Sequence, residues 1–215
     1  MLENSKLVAK KFMANNGISK GAIMKKFSIY LLPMLLISVA CAAEISDING
    51  GFENINRSQK IAMPIYWHKN KNVTKNAVIE LCTEPSLVHN GKSALYIESE
   101  KNGRAYVFRS PMIEYHANDA WQVSVYAKGK GKLRLGFVLH GFTPSSGTKV
   151  YLSSTSSADF NVADDKFVHY TWNFKLPKYK KNQKEYTDFM LMPFIDINGD
   201  AIMFVDDYKI EKTGK

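Results

Sequence analysis

The chain has 215 residues, with 29 lysines and arginines against 20 acids and a formal net charge of +9, taken whole the balance of a nucleic-acid binder. The position of the charge removes that class. Residues 1–43 hold Lys6, Lys10, Lys11, Lys20, Lys25 and Lys26 against Glu3 alone, and the remainder carries +4.

Phe27 to Ala43 is an almost wholly apolar run that follows Met24-Lys25-Lys26 and ends in Ala40-Cys41-Ala42-Ala43. Basic, apolar, then small is the order of a secretory signal peptide, and 17 residues interrupted by Pro33 fall short of the ~20 a spanning helix needs. Residues 1–23 fit no part of such a signal, so Met24 is a candidate true start. Cleavage near Ala42 or Ala43 gives a secreted or periplasmic protein. Processing at Cys41, in Ser38-Val39-Ala40-Cys41, would instead leave it lipid-anchored at the cell envelope, its only route to a membrane. Cys82 is otherwise the one remaining cysteine, so residues 44–215 form a single domain without disulfides that rests on its core.

From Ile45 onward short apolar or alternating runs are separated by turn residues, and none keeps a helical period. Strands are expected near Ala77–Thr83, Ser93–Ser99, Arg104–Ser110, Trp121–Lys128, Lys132–His140, Val150–Ser154, Lys166–Leu176, Asp188–Ile197 and Ala201–Lys212, which makes an all-β sandwich or barrel. The period of two turns Trp121, Val123 and Val125 inward with Leu133, Leu135 and Phe137, and turns Tyr126, Arg134 and His140 outward. Gly129-Lys130-Gly131 is expected to close a tight hairpin that brings Tyr126 near Arg134. Trp172 alternates with the core face of its strand, Ser153–Ser157 is expected as an exposed loop, and Lys175, Lys178, Lys180, Lys181 and Lys184 as a solvated one.

The ends of this domain answer one another. Asn49-Gly50-Gly51-Phe52-Glu53 opens it, Val205-Asp206-Asp207-Tyr208 closes it, and the paired carboxylates suggest an oxygen-ligand metal site where the ends meet. With Pro64 and Trp67, His89-Asn90-Gly91-Lys92-Ser93-Ala94-Leu95 and Tyr126-Ala127-Lys128-Gly129 between them, these motifs occur in an order that resembles the jelly-roll carbohydrate-binding modules of galactose-binding-domain-like fold, the group accompanying xylanases and glucanases. The resemblance implies a jelly-roll β-sandwich and a structural calcium held by side-chain oxygens of Glu53 and Asp206 with backbone carbonyls of Gly51 and Lys92. That ligand set is hard oxygen, as calcium requires and zinc does not.

Sugar recognition needs aromatic faces and forked polar groups. The outward or loop-borne candidates are Tyr66, Trp67, Tyr126, Arg134, His140 and Phe142. Trp67 has a competing place as a core plug, and Tyr126 with Arg134 a competing role as an ordinary cross-strand pair. The acid pairs Glu98/Glu100 and Asp196/Asp200 read as solvated strand ends, the five histidines are scattered, Cys82 reads as a buried inert thiol, and no nucleophile elbow or phosphate loop occurs. The expected function is a non-catalytic module that binds a polysaccharide or oligosaccharide, with no specified oligomeric state. The alternatives are an envelope interaction or scaffold protein that kept the sandwich and lost the sugar, or a small glycan hydrolase or lyase.

Overall fold

Two strands, Ala94–Arg109 and Ala120–Thr143, are each long enough to serve two layers, and they organise everything else. The computed structural model describes residues 43–44, 48–56 and 63–214; the leader, with Met24 and Cys41, lies outside them. In chain order the strands are β1 (Ala43–Glu44), β2 (Ile55–Asn56), β3 (Met63–Pro64), β4 (Trp67–Lys69), β5 (Lys75–Cys82), β6 (Ala94–Arg109), β7 (Ile113–His116) and β8 (Ala120–Thr143). They continue as β9 (Thr148–Ser156), β10 (Phe160–Val162), β11 (Val168–Lys175), β12 (Tyr179–Lys181), β13 (Lys184–Tyr186), β14 (Asp188–Asn198) and β15 (Ala201–Gly214).

The first halves of β6 and β8 lie in one layer, where β5 and β15 flank β6, and β15 and β11 flank β8. Their second halves lie in the other, in the order β4, β6, β14, β8, β9. Every one of these pairings is antiparallel.

The hairpin expected at Gly129-Lys130-Gly131 does not form. β8 runs straight through, because the backbone of β15 crosses it there. A Cβ on Gly129 would stand 2.2 Å from the Ile202 carbonyl oxygen, and one on Gly131 2.5 Å from the Ala201 Cβ. Both glycines take positive φ, 114° and 143°, which side chains rarely adopt, so they bend the strand from one layer into the other without turning it back. Tyr126 and Arg134 are consequently on different layers. Likewise the two strands expected at 93–110 are one, bent near Gly103, whose Cβ would meet the Asn76 carbonyl oxygen at 2.5 Å.

Between the layers the inward positions of both meet. Val123, Val125, Leu133, Leu135, Phe137, Ile195, Ile197, Met203 and Val205 are fully buried, and Trp121 packs edge-on against Phe137. Trp172 joins this core from its margin, as its alternation predicts. Each such side chain removed from water contributes roughly 1.5–3 kcal/mol, which is how a domain without a disulfide holds together. Cys82 is only partly buried, at the end of an edge strand, rather than fully within the core.

Two segments expected as loops are ordered strands. Ser153–Ser156 pairs with β8, and Ser157 is buried with its hydroxyl tied to Leu135 and Ala158. The lysine-rich stretch forms the β12–β13 hairpin and leans on the β8–β9 hairpin, Lys181 donating to the Tyr151 carbonyl oxygen and Lys184 to the Thr143 hydroxyl.

Candidate ligand face and closing turn

The two ends of the domain meet as their residue types demand. Asn49 and Phe52 take positive φ, and the Asn49 side chain ties the turn to Asn54 and Ile65. A Cβ on Gly50 would lie 1.7 Å from the Tyr208 carbonyl oxygen, so glycine is required for the turn to seat on β15. The Tyr208 amide donates to the Gly50 carbonyl at 2.9 Å. Beneath the turn Trp67 is 1% exposed, its ring edge-on to Phe52 and Tyr208 at 5.5 and 5.1 Å, and its indole N–H donates to the Asn49 carbonyl at 3.2 Å. Trp67 is therefore the core plug, not a ligand platform.

The four residues assigned to calcium converge on this place. Glu53 Oε1 accepts the Lys92 and Ser93 amides at 2.7 and 3.1 Å. Asp206, 0% exposed, accepts the amides of His89, Asn90 and Asp207 at 3.0, 3.3 and 2.7 Å. Burial pushes its carboxyl up to about 6, the three amides pulling the other way. No lysine or arginine pairs with it among the described residues. Gly51 adjoins Asp207 and Glu53, a Cβ there standing 3.5 and 3.7 Å from their side chains. Among the described residues no three His, Cys, Asp or Glu side chains gather as a ready metal site. A cation here would need backbone carbonyls, the oxygen-rich mixture that calcium accepts.

On the outward side of the first layer Tyr126 is half-buried between two histidine rings. His89 stacks on one side at 3.7 Å and His169 contacts it at 4.6 Å, and His89 Nδ1 lies 2.7 Å from Asp207 Oδ2. Those ring contacts displace Tyr126 from the part of an open sugar platform, because the 89–93 loop that Asp206 anchors folds onto it. Tyr66 is set apart too, in the turn just before β4, with the guanidinium of the buried Arg109 5.5 Å from its ring centre.

The outward side of the second layer is different. The registers place His68, Phe108 and Phe194 in one row across β4, β6 and β14, and Tyr106, Asp196 and Arg134 in the next across β6, β14 and β8. Phe194 lies over Gly136, where a Cβ would strike its ring at 2.2 Å, and stacks on Tyr106 at 4.8 Å. The Arg104 guanidinium covers Tyr106 at 5.4 Å. Asp196, expected as a solvated strand end, is 3% exposed. Its Oδ1 accepts Arg104 Nε at 2.7 Å, and its Oδ2 accepts Arg104 Nη2 at 3.0, Arg134 Nη2 at 2.7 and Asn198 Nδ2 at 3.3 Å. These bonds keep Arg104 charged, and burial with Asp196 nearby raises the Tyr106 phenol well above its usual range.

Towards the far end of this face His140 packs edge-on against Tyr151 at 5.9 Å, and burial, with Lys149 second, lowers its imidazole below the usual range. Phe142 follows on β8, half-buried and paired with Lys149. Tyr151 itself is 54% exposed.

Of the six expected ligand residues, Arg134, His140 and Phe142 thus share a face. Tyr66, Trp67 and Tyr126 do not join them. Arg104, Tyr106, Phe108, Tyr151 and Asp196 do, and the alternation Arg104-Ala105-Tyr106-Val107-Phe108 was the available signal for three of them.

No family model and no curated protein matches the chain. Solved structures do. A cyclase from Fischerella sp. TAU is 15% identical with a TM-score of 0.53, over 79% of this chain and 96% of that one. The enzymatically active domain of bacteriophage CBA120 tailspike protein 4 is 12% identical with a TM-score of 0.51, over 77% of this chain and 21% of that one. The CBM22-1 xylan-binding domain from Paenibacillus barcinonensis Xyn10C is 16% identical with a TM-score of 0.47, over 81% of this chain and 99% of that one. The fold is a jelly-roll β-sandwich. At that level the resemblance read from the motifs holds, and the neighbours include both binding modules and catalytic proteins.

Proposed function

We propose that this chain is an exported module that binds a glycan on the outward face of β4, β6, β14, β8 and β9 without doing chemistry on it. The observation that carries the reading is the juxtaposition on that one face of an exposed Tyr151, the half-buried ring of Phe108, and the forked donors of Arg104 and Arg134. Rings cover the apolar side of a pyranose while guanidinium forks meet its oxygens. The oxygens of Asp196 are already bonded to the two arginines and Asn198. Glu98 and Glu100 stay exposed on the other layer's strand, as expected of solvated acids.

A structural calcium at the closing turn belongs to the same reading. Glu53 and Asp206, with the Gly51 and Lys92 carbonyls, would hold it, and it would supply the countercharge that no lysine or arginine among the described residues gives the buried Asp206 carboxylate.

Tyr151→Ala is expected to weaken retention in affinity gels containing xylan, mixed-linkage glucan, galactan or polygalacturonate. The loss should be about tenfold or more, as for an anchoring aromatic, with the melting temperature unchanged because the side chain is exposed. Ile202→Ser, at a 52% exposed position on the other layer, should bind as wild type. Retention that follows Ile202 and not Tyr151 would favour a scaffold that docks partners on the other layer.

A further inference from the structure

We infer, on the basis of this glycan face, that the sugar it takes is anionic, a uronate or sulfate ester whose charged group is seated between Arg104 and Arg134. One buried carboxylate serves two guanidiniums. Asp196 can neutralise only one of the two, and the more exposed Asp159 is shared between Arg134 and Lys132, while three hydrogen bonds to Asp196, two from Arg104 and one from Arg134, hold both guanidiniums in place. The entropy that two free arginines would lose on gripping an anion is therefore largely spent in folding.

The arginines remain reachable. About a third of each side chain is exposed, 36% for Arg104 and 33% for Arg134, against 3% for Asp196. Arg104 spends Nε and Nη2 on Asp196, and Arg134 spends Nη2 there with Nε 3.5 Å from Asp159. The Nη1 group of each is left over from these contacts, and guanidinium donors of this kind are the strong partners of carboxylate and sulfate oxygens.

Two open hollows flank Asn198, one of ≈ 660 Å³ bordered by Arg104 and Lys75, the other of ≈ 680 Å³ bordered by Arg134, Lys101 and Lys132. Asp159 and Asp200 also border the second, but Asp159 is shared between Arg134 and Lys132 and Asp200 pairs with Lys130. Lys75 and Lys101 form no ion pair among the described residues. A neutral sugar would gain nothing from this surplus of positive charge, whereas an anionic one would be drawn to it and held.

The test measures the affinity of the full chain for polygalacturonate oligomers, for the same oligomers fully methyl-esterified, for dextran sulfate and for unsubstituted dextran, at low salt and at about 0.5 M NaCl, where charge effects are screened. The acidic forms should bind at least about tenfold more tightly than their neutral counterparts, with most of the difference lost in salt. Arg134→Gln should erase the preference. Lys101→Gln/Lys132→Gln, which leaves the Asp196 bonds intact, should reduce it by about threefold or more without altering the fold. Binding to polygalacturonate alone identifies a uronate, and to dextran sulfate alone a sulfate ester. Equal binding of esterified and free oligomers and of both dextrans, or a preference untouched by all these variants, would overturn the inference while leaving a glycan face standing. Retention of none of the four, together with none of the neutral glycans in the affinity gels, would overturn both.

Discussion

Trp67→Ala is expected to be the most damaging single truncation in the domain, costing about 3–5 kcal/mol as for other fully buried aromatics. It opens a cavity under the turn that joins the two ends of the sandwich, where Phe52 and Tyr208 both rest edges on the indole and the Asn49 carbonyl accepts its N–H. Three layers of support go at once: the aromatic contacts, the hydrogen bond, and the seat of Gly50 against Tyr208. For a domain of this size the melting temperature should fall by roughly 10 °C. Trp67→Phe should recover most of that, losing about 1 kcal/mol for the hydrogen bond and some packing. A normal melting temperature with lost glycan retention would mean that Trp67 is a platform after all, contrary to its burial.

Calcium removal is the second large effect. The proposed ion would lie beside Asp206, a carboxylate that is wholly buried and, among the described residues, bonded to backbone amides alone. A ligand held by the folded state alone, at a hundred times its dissociation constant, contributes about 2.7 kcal/mol. At roughly 2–4 °C per kcal/mol, chelation with EDTA should lower the melting temperature by about 5–10 °C, and added calcium should restore it. Asp206→Asn should start lower and lose the response. In either orientation its amide nitrogen faces backbone donors, leaving at least one of the His89, Asn90 and Asp207 amides unmet at about 1–3 kcal/mol. A wild-type melting temperature indifferent to both EDTA and calcium would show that the amides alone close the sandwich.

The parts of this molecule that sequence revealed are those in which a residue's neighbours along the chain determine its surroundings. Trp121, Val123 and Val125 alternate with polar residues and are buried; Asn49-Gly50-Gly51 announces a turn whose backbone must come close to something. The failures share one cause. Gly129-Lys130-Gly131 between two alternating runs signals a hairpin and a bent through-strand equally well, and only the passage of Ile202 and Met203 across it decides between them. That one bend separates Tyr126 from Arg134.

The candidate site was legible in part for the same reason. Arg134 and His140 could be turned outward by counting, but that Asp196 would be buried beneath Arg104 and Arg134 depends on β14 lying between β6 and β8. Tyr126 also points outward as counted, yet its ring contacts come from His89 and His169, each on a separate segment. The outward direction was local; what covers an outward ring was not.

Amide chemical-shift mapping of the isotopically labelled protein during titration with polygalacturonate and xylan oligomers tests the glycan face most directly. The account predicts saturable shifts gathered at residues 104–108, 134–140, 151 and 194–198, with residues 89, 126 and 169 unmoved. Shifts gathered instead around Tyr126 on the opposite layer, or at the edge near Tyr66, would contradict it.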